Sequence, residues 1–343
     1  MITVVIPYFQ REPGILARAL ASIAGQQACP LSVHVIVVDD ASPVPADAEI
    51  AGMDRMAQPV QVIVQSNGGP GAARNTGLAH APQGTRYIAF LDSDDEWTPD
   101  HLARAVLALD CGYDFYFADL YQLGQTTAAF ARAGRIRVAE HPVLPGPVSD
   151  LHGYHGDMFD QIIRGNLIGT PTVVYDFERF GAHRFRTEFG NAGEDYLFWM
   201  ELVRGGAKIA FSSRAEVRCG KGVNVYAGSG WGSDQHLLRV HNEIKYRLTT
   251  RKLFALTDSQ RAHIQTCVRD LRRSFARDLL HRMAHRKTLP WPVLQQHFRL
   301  DPLSFRGVAI QYAEDHFFSL DVAFYKGHVL IHSLCAICTT SKQ

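Results

Sequence analysis

Three carboxylates fall within four residues at Asp92-Ser93-Asp94-Asp95, directly after the apolar run Tyr87 to Leu91. Like charges so close repel unless a cation sits among them. Mg2+ or Mn2+ suits one or two carboxylates whose coordination is completed by diphosphate oxygens. A bare D-x-D triplet also describes a solvated acidic turn, so placement has to decide. A second pair, Asp39-Asp40, follows apolar Val33 to Val38. Such a carboxylate can accept from a nucleobase N–H or from ribose hydroxyls. Asp39-Asp40-Ala41-Ser42 can equally be a turn and helix cap. The run Asn67-Gly68-Gly69-Pro70-Gly71-Ala72-Ala73-Arg74-Asn75 lacks both G-x-G-x-x-G and the P-loop Gly-Lys-Ser/Thr, which disfavours an ordinary dinucleotide or ATP site. Arg74, on a first helical turn, can contact a base or a phosphate; its plainer reading is a surface arginine. Gly193-Glu194-Asp195 puts two acids at a helix start, where the macrodipole alone favours them. One of them could instead serve as a general base.

These groups need elements to hold them. Ile2 to Ile6, Val33 to Val38, Val60 to Val64, Tyr87 to Leu91 and Tyr113 to Ala118 are apolar runs of strand length, with Pro7 expected to end the first. Between them, Pro13 to Ala24 carries Ile15, Leu16, Ala19, Leu20 and Ile23 on one helical face. Helices are also expected from about Ala72 and from Thr98-Pro99-Asp100. Continuous apolar strands alternating with helices predict an α/β fold, a mainly parallel sheet covered on both faces. All three polar clusters then lie at the C-terminal ends of strands, the edge where such sheets bind ligands. Further on, Glu140 to Gly156 reads as a long loop, Phe159 to Arg164 and Glu194 to Arg204 as helices, and Pro171 to Tyr175 and Lys208 to Phe211 as short strands. Cys219 to Ser233, with five glycines, is too flexible for regular structure.

Of the 343 residues, 46% are hydrophobic and 20% charged, a globular composition with ample core material. The formal charge of +1 conceals a division. Residues 1–233 carry 18 basic and 25 acidic side chains, whereas 234–287 carry 13 and 5. That basic segment reads as helical. Thr257-Asp258-Ser259-Gln260 fits a capping box, followed by a stripe of Ile264, Cys267, Val268, Leu271, Phe275, Leu279 and Met283 with most arginines off it. A domain of residues 1–220 and a region of 221–343, a glycine-rich lid followed by basic helices, are expected. No secretory signal and no apolar run of spanning length is visible, which points to the cytoplasm. Cys335 and Cys338 form a lone C-x-x-C, read as ordinary cysteines of a reducing compartment. Nucleic-acid binding lacks a recognised module.

Val5-Ile6-Pro7, Val38 to Ser42, Asn67 to Asn75, Phe90 to Asp95 and Gly193 to Asp195, in this order and spacing, resemble family 2 glycosyltransferases. These are inverting enzymes with the GT-A fold. The resemblance covers residues 1 to about 215. Ile6 to Pro13 and Tyr226 to Ser233 are similar to bacterial exopolysaccharide glucosyltransferases, of the kind that build succinoglycan side chains. The resemblance implies that Pro7, Asp40 and Arg74 surround the uracil of a UDP-sugar, with Asp92 and Ser93 near ribose and sugar. It further implies that Asp94 binds Mg2+ or Mn2+, that Asp195 is the catalytic base, and that Glu194 and Trp231 serve the lid or acceptor. His236 is a further metal candidate. The Gln-x-x-Arg-Trp motif of processive synthases is absent, which implies addition of a single sugar. A lipid-linked or soluble glycan would be the acceptor, and residues 234–287 would contact an anionic inner-membrane surface or merely pack as a solvated helix. Two other readings stay open: a sugar-nucleotide pyrophosphorylase, whose glycine-rich basic loop is replaced here by Pro7 to Arg11, and a non-catalytic sugar-nucleotide-binding module. Oligomeric state is not legible.

Overall fold

The computed structural model describes residues 1–53, 58–189, 193–223 and 230–306. Asn191, Ala192, Tyr226 to Ser229 and the Cys335–Cys338 pair lie outside them. The chain forms two units, Met1–Val225 and Tyr226–Gln343, so the division falls five residues later than the expected 220/221.

In the first unit the expected alternation is present as β1 (Ile2–Tyr8), α1 (Ile15–Ala24), β2 (Val33–Asp39), α2 (Ala46–Ala51), β3 (Val60–Val64), α3 (Pro70–Ala79) and β4 (Tyr87–Phe90). Strands pair in parallel in the order β3-β2-β1-β4. Pro7 does not end β1; the strand runs one residue further. Val5 offers its carbonyl to Leu91 on the β4 side, and Tyr8 offers its own to Asp40 on the β2 side. By alternation Pro7 faces β4, which has already stopped at Phe90. Its missing N–H therefore costs no ladder bond. On one sheet face Leu16, Leu20 and Ile23 of α1 pack with Val4, Ile6, Val35 and Val37. On the other, Gly77 of α3 lies so close to Val5 that any Cβ there would overlap it.

Past β4 the sheet becomes mixed. The elements are β5 (Glu96–Trp97), α4 (His101–Asp110), β6 (Phe115–Tyr121), α5 (Ala129–Ala133), β7 (Leu151–Gly153), α6 (Met158–Gly165), β8 (Val174–Asp176), α7 (Phe177–Phe180), α8 (Glu194–Arg204) and β9 (Ile209–Arg218). Strand β8 runs antiparallel between β4 and β6, β9 lies parallel to β6, and β5 and β7 pair antiparallel with β9. Two expectations are corrected here. The long loop over 140–156 contains β7, and the short strand at 208–211 extends to Arg218. The extension was hidden because Ser212, Arg214 and Glu216 read as polar, yet Glu216 is fully buried. Its carboxylate accepts from Arg104 and Tyr116 and pairs with His101 Nδ1 at 2.8 Å. Burial alone would raise the Glu216 carboxyl; His101 and Arg104 outweigh it and hold it below its usual range.

The second unit contains α9 (His236–Leu253), α10 (Asp258–Ala284) and α11 (Trp291–Leu300). Both hydrogen bonds of the Thr257–Gln260 capping box are present. Ile264, Val268, Phe275 and Leu279 are buried as the stripe requires, but Met283 is exposed. Two arginines depart from the expected solvated face. Arg282 is 1% exposed and is held by Asp278, Asp234 and backbone carbonyls, and Arg272 makes a bidentate pair with Asp301.

The core of this unit holds a histidine pair, His241 Nδ1 and His297 Nδ1, 3.1 Å apart, with His297 stacked on Phe275. One ring nitrogen donates and the other accepts, which needs at least the accepting ring neutral. Burial, helped by Lys245, pushes His241 down to about 4. Burial and His241 push His297 down to about 3, against Asp301 and together with Arg272. The unfolded chain therefore takes up protons near 6.5 that the folded chain refuses, and stability falls as pH drops from there toward 4. The expected result is a melting temperature that declines over this window. His297→Phe, which removes the second ring nitrogen pair, should flatten that decline in a pH series of thermal melts.

Candidate active site

Sheet topology brings the separated acidic clusters to one edge. Asp39 ends β2 and Asp40 follows it, Asn67 to Gly69 lead into α3, and Asp92 to Asp95 lie just past β4. The two neighbouring aspartates divide the readings left open for them. Asp39 is the turn and helix cap: its oxygens accept from the N–H of Ser42 and of Ala46, at 2.7 and 2.8 Å. Asp40 clasps the glycine turn. It accepts from Gly68 N–H and Gly69 N–H, both at 2.8 Å, and from Gln65 Nε2 at 2.7 Å. Gly69 has φ of 83°, a conformation that favours glycine, and Pro70 then opens α3. Pro7 borders this edge from β1.

Arg74 is 4% exposed and joins two parts of the site. Its NH2 donates to Asp92 Oδ1 at 2.7 Å, its NH1 lies 3.5 Å from Glu194 Oε1, and the guanidinium sits 5.4 Å from the centre of the Phe185 ring. Burial works against its charge, but Asp92 and Glu194 outweigh this and hold the guanidinium more firmly protonated than usual. Arg74 is thus no surface arginine. Glu194, expected toward a lid or acceptor, instead points inward as its buried counter-ion, because a buried cation needs compensation. One polar atom of each, Arg74 Nε and Glu194 Oε2, has no protein hydrogen bond.

Asp195, the next residue on the first turn of α8, stays partly exposed. Its Oδ1 accepts from Tyr196 N–H at 2.9 Å and its Oδ2 lies 3.5 Å from Thr170 Oγ1. Burial and Asp195 push Glu194 up to about 7, and burial raises Asp195 as well, against the pull of Arg74. Two adjacent carboxyls beside one arginine make a proton acceptor that titrates above the ordinary carboxylate range.

The acidic turn is closed over by Cys219 to Gly222, the start of the glycine-rich segment. Gly220 N–H donates to Asp95 Oδ1 at 3.0 Å, and a Cβ on Gly222 would stand 2.5 Å from Asp94 Oδ2. Burial and the charge of Asp92 push Asp94 up to about 6, against hydrogen bonds that include Gly222 N–H. Asp95 is held well above its usual range by burial, Asp92 and Asp94, and the same three aspartates help keep the half-buried Cys219 thiol protonated. Such mutual repulsion is what a divalent cation relieves. Among the described residues no group of three or more His, Cys, Asp or Glu is arranged to enclose a metal. The donor set therefore fits a hard cation held by one or two carboxylates and completed by ligand oxygens, and does not fit an all-protein cage.

His236 and Trp231 belong to the second unit. His236 opens α9, buried, with Nε2 3.1 Å from Ser274 Oγ. Trp231 is 58% exposed with its ring 4.7 Å from that of His281.

The chain is similar to known proteins in sequence and fold. A model of glycosyl transferase family 2 matches residues 3–169. The succinoglycan biosynthesis protein ExoW of Rhizobium meliloti (strain 1021) is 35% identical over 259 residues, 70% of this chain and 75% of that protein. The putative teichuronic acid biosynthesis glycosyltransferase TuaG of Bacillus subtilis (strain 168) is 26% identical over 50% of this chain and 61% of its own length. Among solved structures, S. aureus TarS 1-349 in complex with UDP-GlcNAc aligns with a TM-score of 0.55 at 18% identity, over 90% of this chain and 81% of that one. The mannosyltransferase PcManGT from Pyrobaculum calidifontis, in complex with GDP-Man and Mn2+, aligns at 0.51 and 16%, over 92% and 87%. Those structures share the GT-A fold seen here, and the chain belongs to glycosyl transferase family 2.

Proposed function

We infer that this glycosyltransferase moves a single hexosyl unit, with inversion, from a UDP-sugar to a glycan acceptor in bacterial exopolysaccharide assembly. UDP-glucose is the preferred donor and a lipid-linked oligosaccharide the preferred acceptor. The observation that carries the reading is Arg74, which ties the acidic turn to the helix start bearing Asp195. One buried guanidinium thereby sets the group facing a diphosphate and the proton acceptor in fixed relation. The likeness to ExoW supports the exopolysaccharide setting, and the UDP-GlcNAc complex of TarS supports a uridine diphosphate donor.

In this mechanism Asp195 accepts the proton of the acceptor hydroxyl as it attacks the anomeric carbon and UDP leaves from the opposite side. One base suffices, because a diphosphate leaves without protonation, unlike the leaving group of a glycosidase. Asp94, with Asp92 beside it, would hold Mg2+ or Mn2+, which when bound offsets the negative charge developing on the diphosphate. His236 stays a further metal candidate, with its Nε2 facing Ser274 Oγ at 3.1 Å. Pro7 and Asp40 border the base, with the second lone pair of Asp40 Oδ2 still open to a uracil N–H. Ser93 lies beside the ribose and sugar.

The decisive experiment is a UDP-sugar panel with Mg2+ or Mn2+, scored by UDP release with and without lipid-linked acceptor. The expected result is metal-dependent release that is greatest for UDP-glucose and stimulated by acceptor. No release from any UDP-sugar overturns the reading. We place the protein on the cytoplasmic face of the inner membrane. No described helix is long and apolar enough to cross a bilayer. Exposed Arg251, Lys252, Arg273, Arg277 and Arg286 leave a basic surface on the helical unit after Arg272 and Arg282 have turned inward. Anionic headgroups would contribute about 1 kcal/mol per such residue near the surface. Liposome sedimentation should show binding that requires anionic lipid and weakens with salt.

A further inference from the structure

Gln10 lies two residues past β1, is 3% exposed, and belongs to none of the acidic clusters. Its backbone is pinned on both sides. Its N–H donates to Ser42 Oγ at 2.8 Å, while its carbonyl accepts from Ser42 Oγ at 3.0 Å and from Val44 N–H at 3.1 Å. With the main chain fixed, the carboxamide reaches two other segments. Nε2 donates to Ser93 Oγ at 3.0 Å, inside the acidic turn, and Oε1 accepts from Val223 N–H at 3.3 Å. Val223 directly follows Gly222, which lies against the Asp94 carboxylate. One side chain therefore connects the end of β1, the acidic turn and the strap formed by Cys219 to Val223.

We propose that Gln10 is a positioning residue for transfer, holding Ser93 and the 219–223 strap in register over the donor's diphosphate. The argument turns on what each strap attachment depends on. Gly220 and Gly222 donate to Asp95 and Asp94, carboxylates that a bound cation would also claim. The Gln10 attachment is to a neutral amide and does not compete. It is the tether that persists while the others change. A carboxamide can donate to the hydroxyl and accept from the backbone N–H from one side-chain end. Leucine matches its size and loses both bonds, and asparagine keeps the chemistry but is one methylene short of spanning them.

The inference rests on the donor reading above, so the test pairs a readout that needs donor with one that does not. In the full chain, Gln10→Leu and Gln10→Asn would be compared by hydrogen exchange of the peptide covering 219–223, with peptides from β2 and β4 as folding controls, and by steady-state kinetics with UDP-sugar. The expected result is strap exchange faster by about tenfold and a donor KM raised by about tenfold, as for a lost hydrogen bond or two. The control peptides should be unchanged and kcat altered less than KM. Wild-type strap protection in either folded variant overturns the proposal. So does faster strap exchange with unaltered donor KM, and so does loss of control protection in both variants, which would make Gln10 purely structural. If no UDP-sugar is turned over, the donor reading fails by itself, while strap exchange still decides whether Gln10 is the tether.

Discussion

Asp195→Asn should abolish transfer while leaving donor binding nearly intact. Removing a general base typically costs 10²- to 10⁴-fold, so kcat is expected to fall by about three orders of magnitude. The Kd for UDP-sugar should change by less than about threefold, because the amide keeps the oxygen facing Tyr196 N–H and occupies the same volume. Single-turnover transfer and calorimetric binding would check the two halves, and near-normal turnover would remove Asp195 from the mechanism. A pH profile follows from the same geometry. Glu194, pushed up to about 7, and Asp195, also raised, titrate together as a pair above the ordinary carboxylate range. Transfer requires the deprotonated acceptor, so kcat should rise as pH increases through neutrality and level off above it.

Arg74→Met should have the second large effect. The guanidinium is buried between Asp92 and Glu194, and its removal leaves two carboxylates facing a site built for a polyanionic ligand. Breaking a buried ion pair from one side costs about 3–5 kcal/mol; the partial exposure of Asp92 places this case toward the lower figure. That cost falls on folding stability; separately, losing the cation beside the leaving diphosphate should lower kcat/KM for the donor by roughly 100-fold or more. With the cation gone, the largest influence opposing the burial of the Glu194–Asp195 pair is lost, so the midpoint of the pH profile should move alkaline. Arg74→Lys separates charge from shape. It keeps the cation but cannot span both carboxylates with a planar fork, and a loss of about tenfold with little alkaline movement is expected. An Arg74→Met enzyme with unaltered donor kinetics and pH midpoint would show that the arginine serves only the fold.

How far the chain could be read depended on whether each signal was local. Strands β1 to β4 and helix α8 were legible because they are continuous apolar or periodic segments with punctuation at their ends, and Glu194–Arg204 was placed to the residue. Strand β9 reads short because its second half alternates polar residues, among which Glu216 is buried against His101, Arg104 and Tyr116, at least 100 residues away along the chain. Pro7 was taken to end a strand because its missing donor is harmful in general, and only the shorter neighbour β4 makes it harmless here. The basic segment was seen as one charged face, yet Arg272 and Arg282 turn inward to partners that charge counting does not reveal.

The candidate site divides in the same way. Asp40, Arg74, Asp92, Asp94 and Asp195 were each identifiable as chemistry at the end of a strand or the start of a helix, and their order along the chain carried the family. The sequence by itself thus determined the reactive groups and the edge of the sheet on which they stand, because strand direction places every β-to-α turn on one side. Only the tertiary structure decided their partners. It made Asp39 a cap and Asp40 a clasp, turned Glu194 inward to Arg74, and laid Gly220 and Gly222 on the acidic turn with Gln10 as tether. The physical reason is that spacing encodes periodicity and direction, whereas a hydrogen bond between residues 10 and 223 depends on loop paths that no local pattern records.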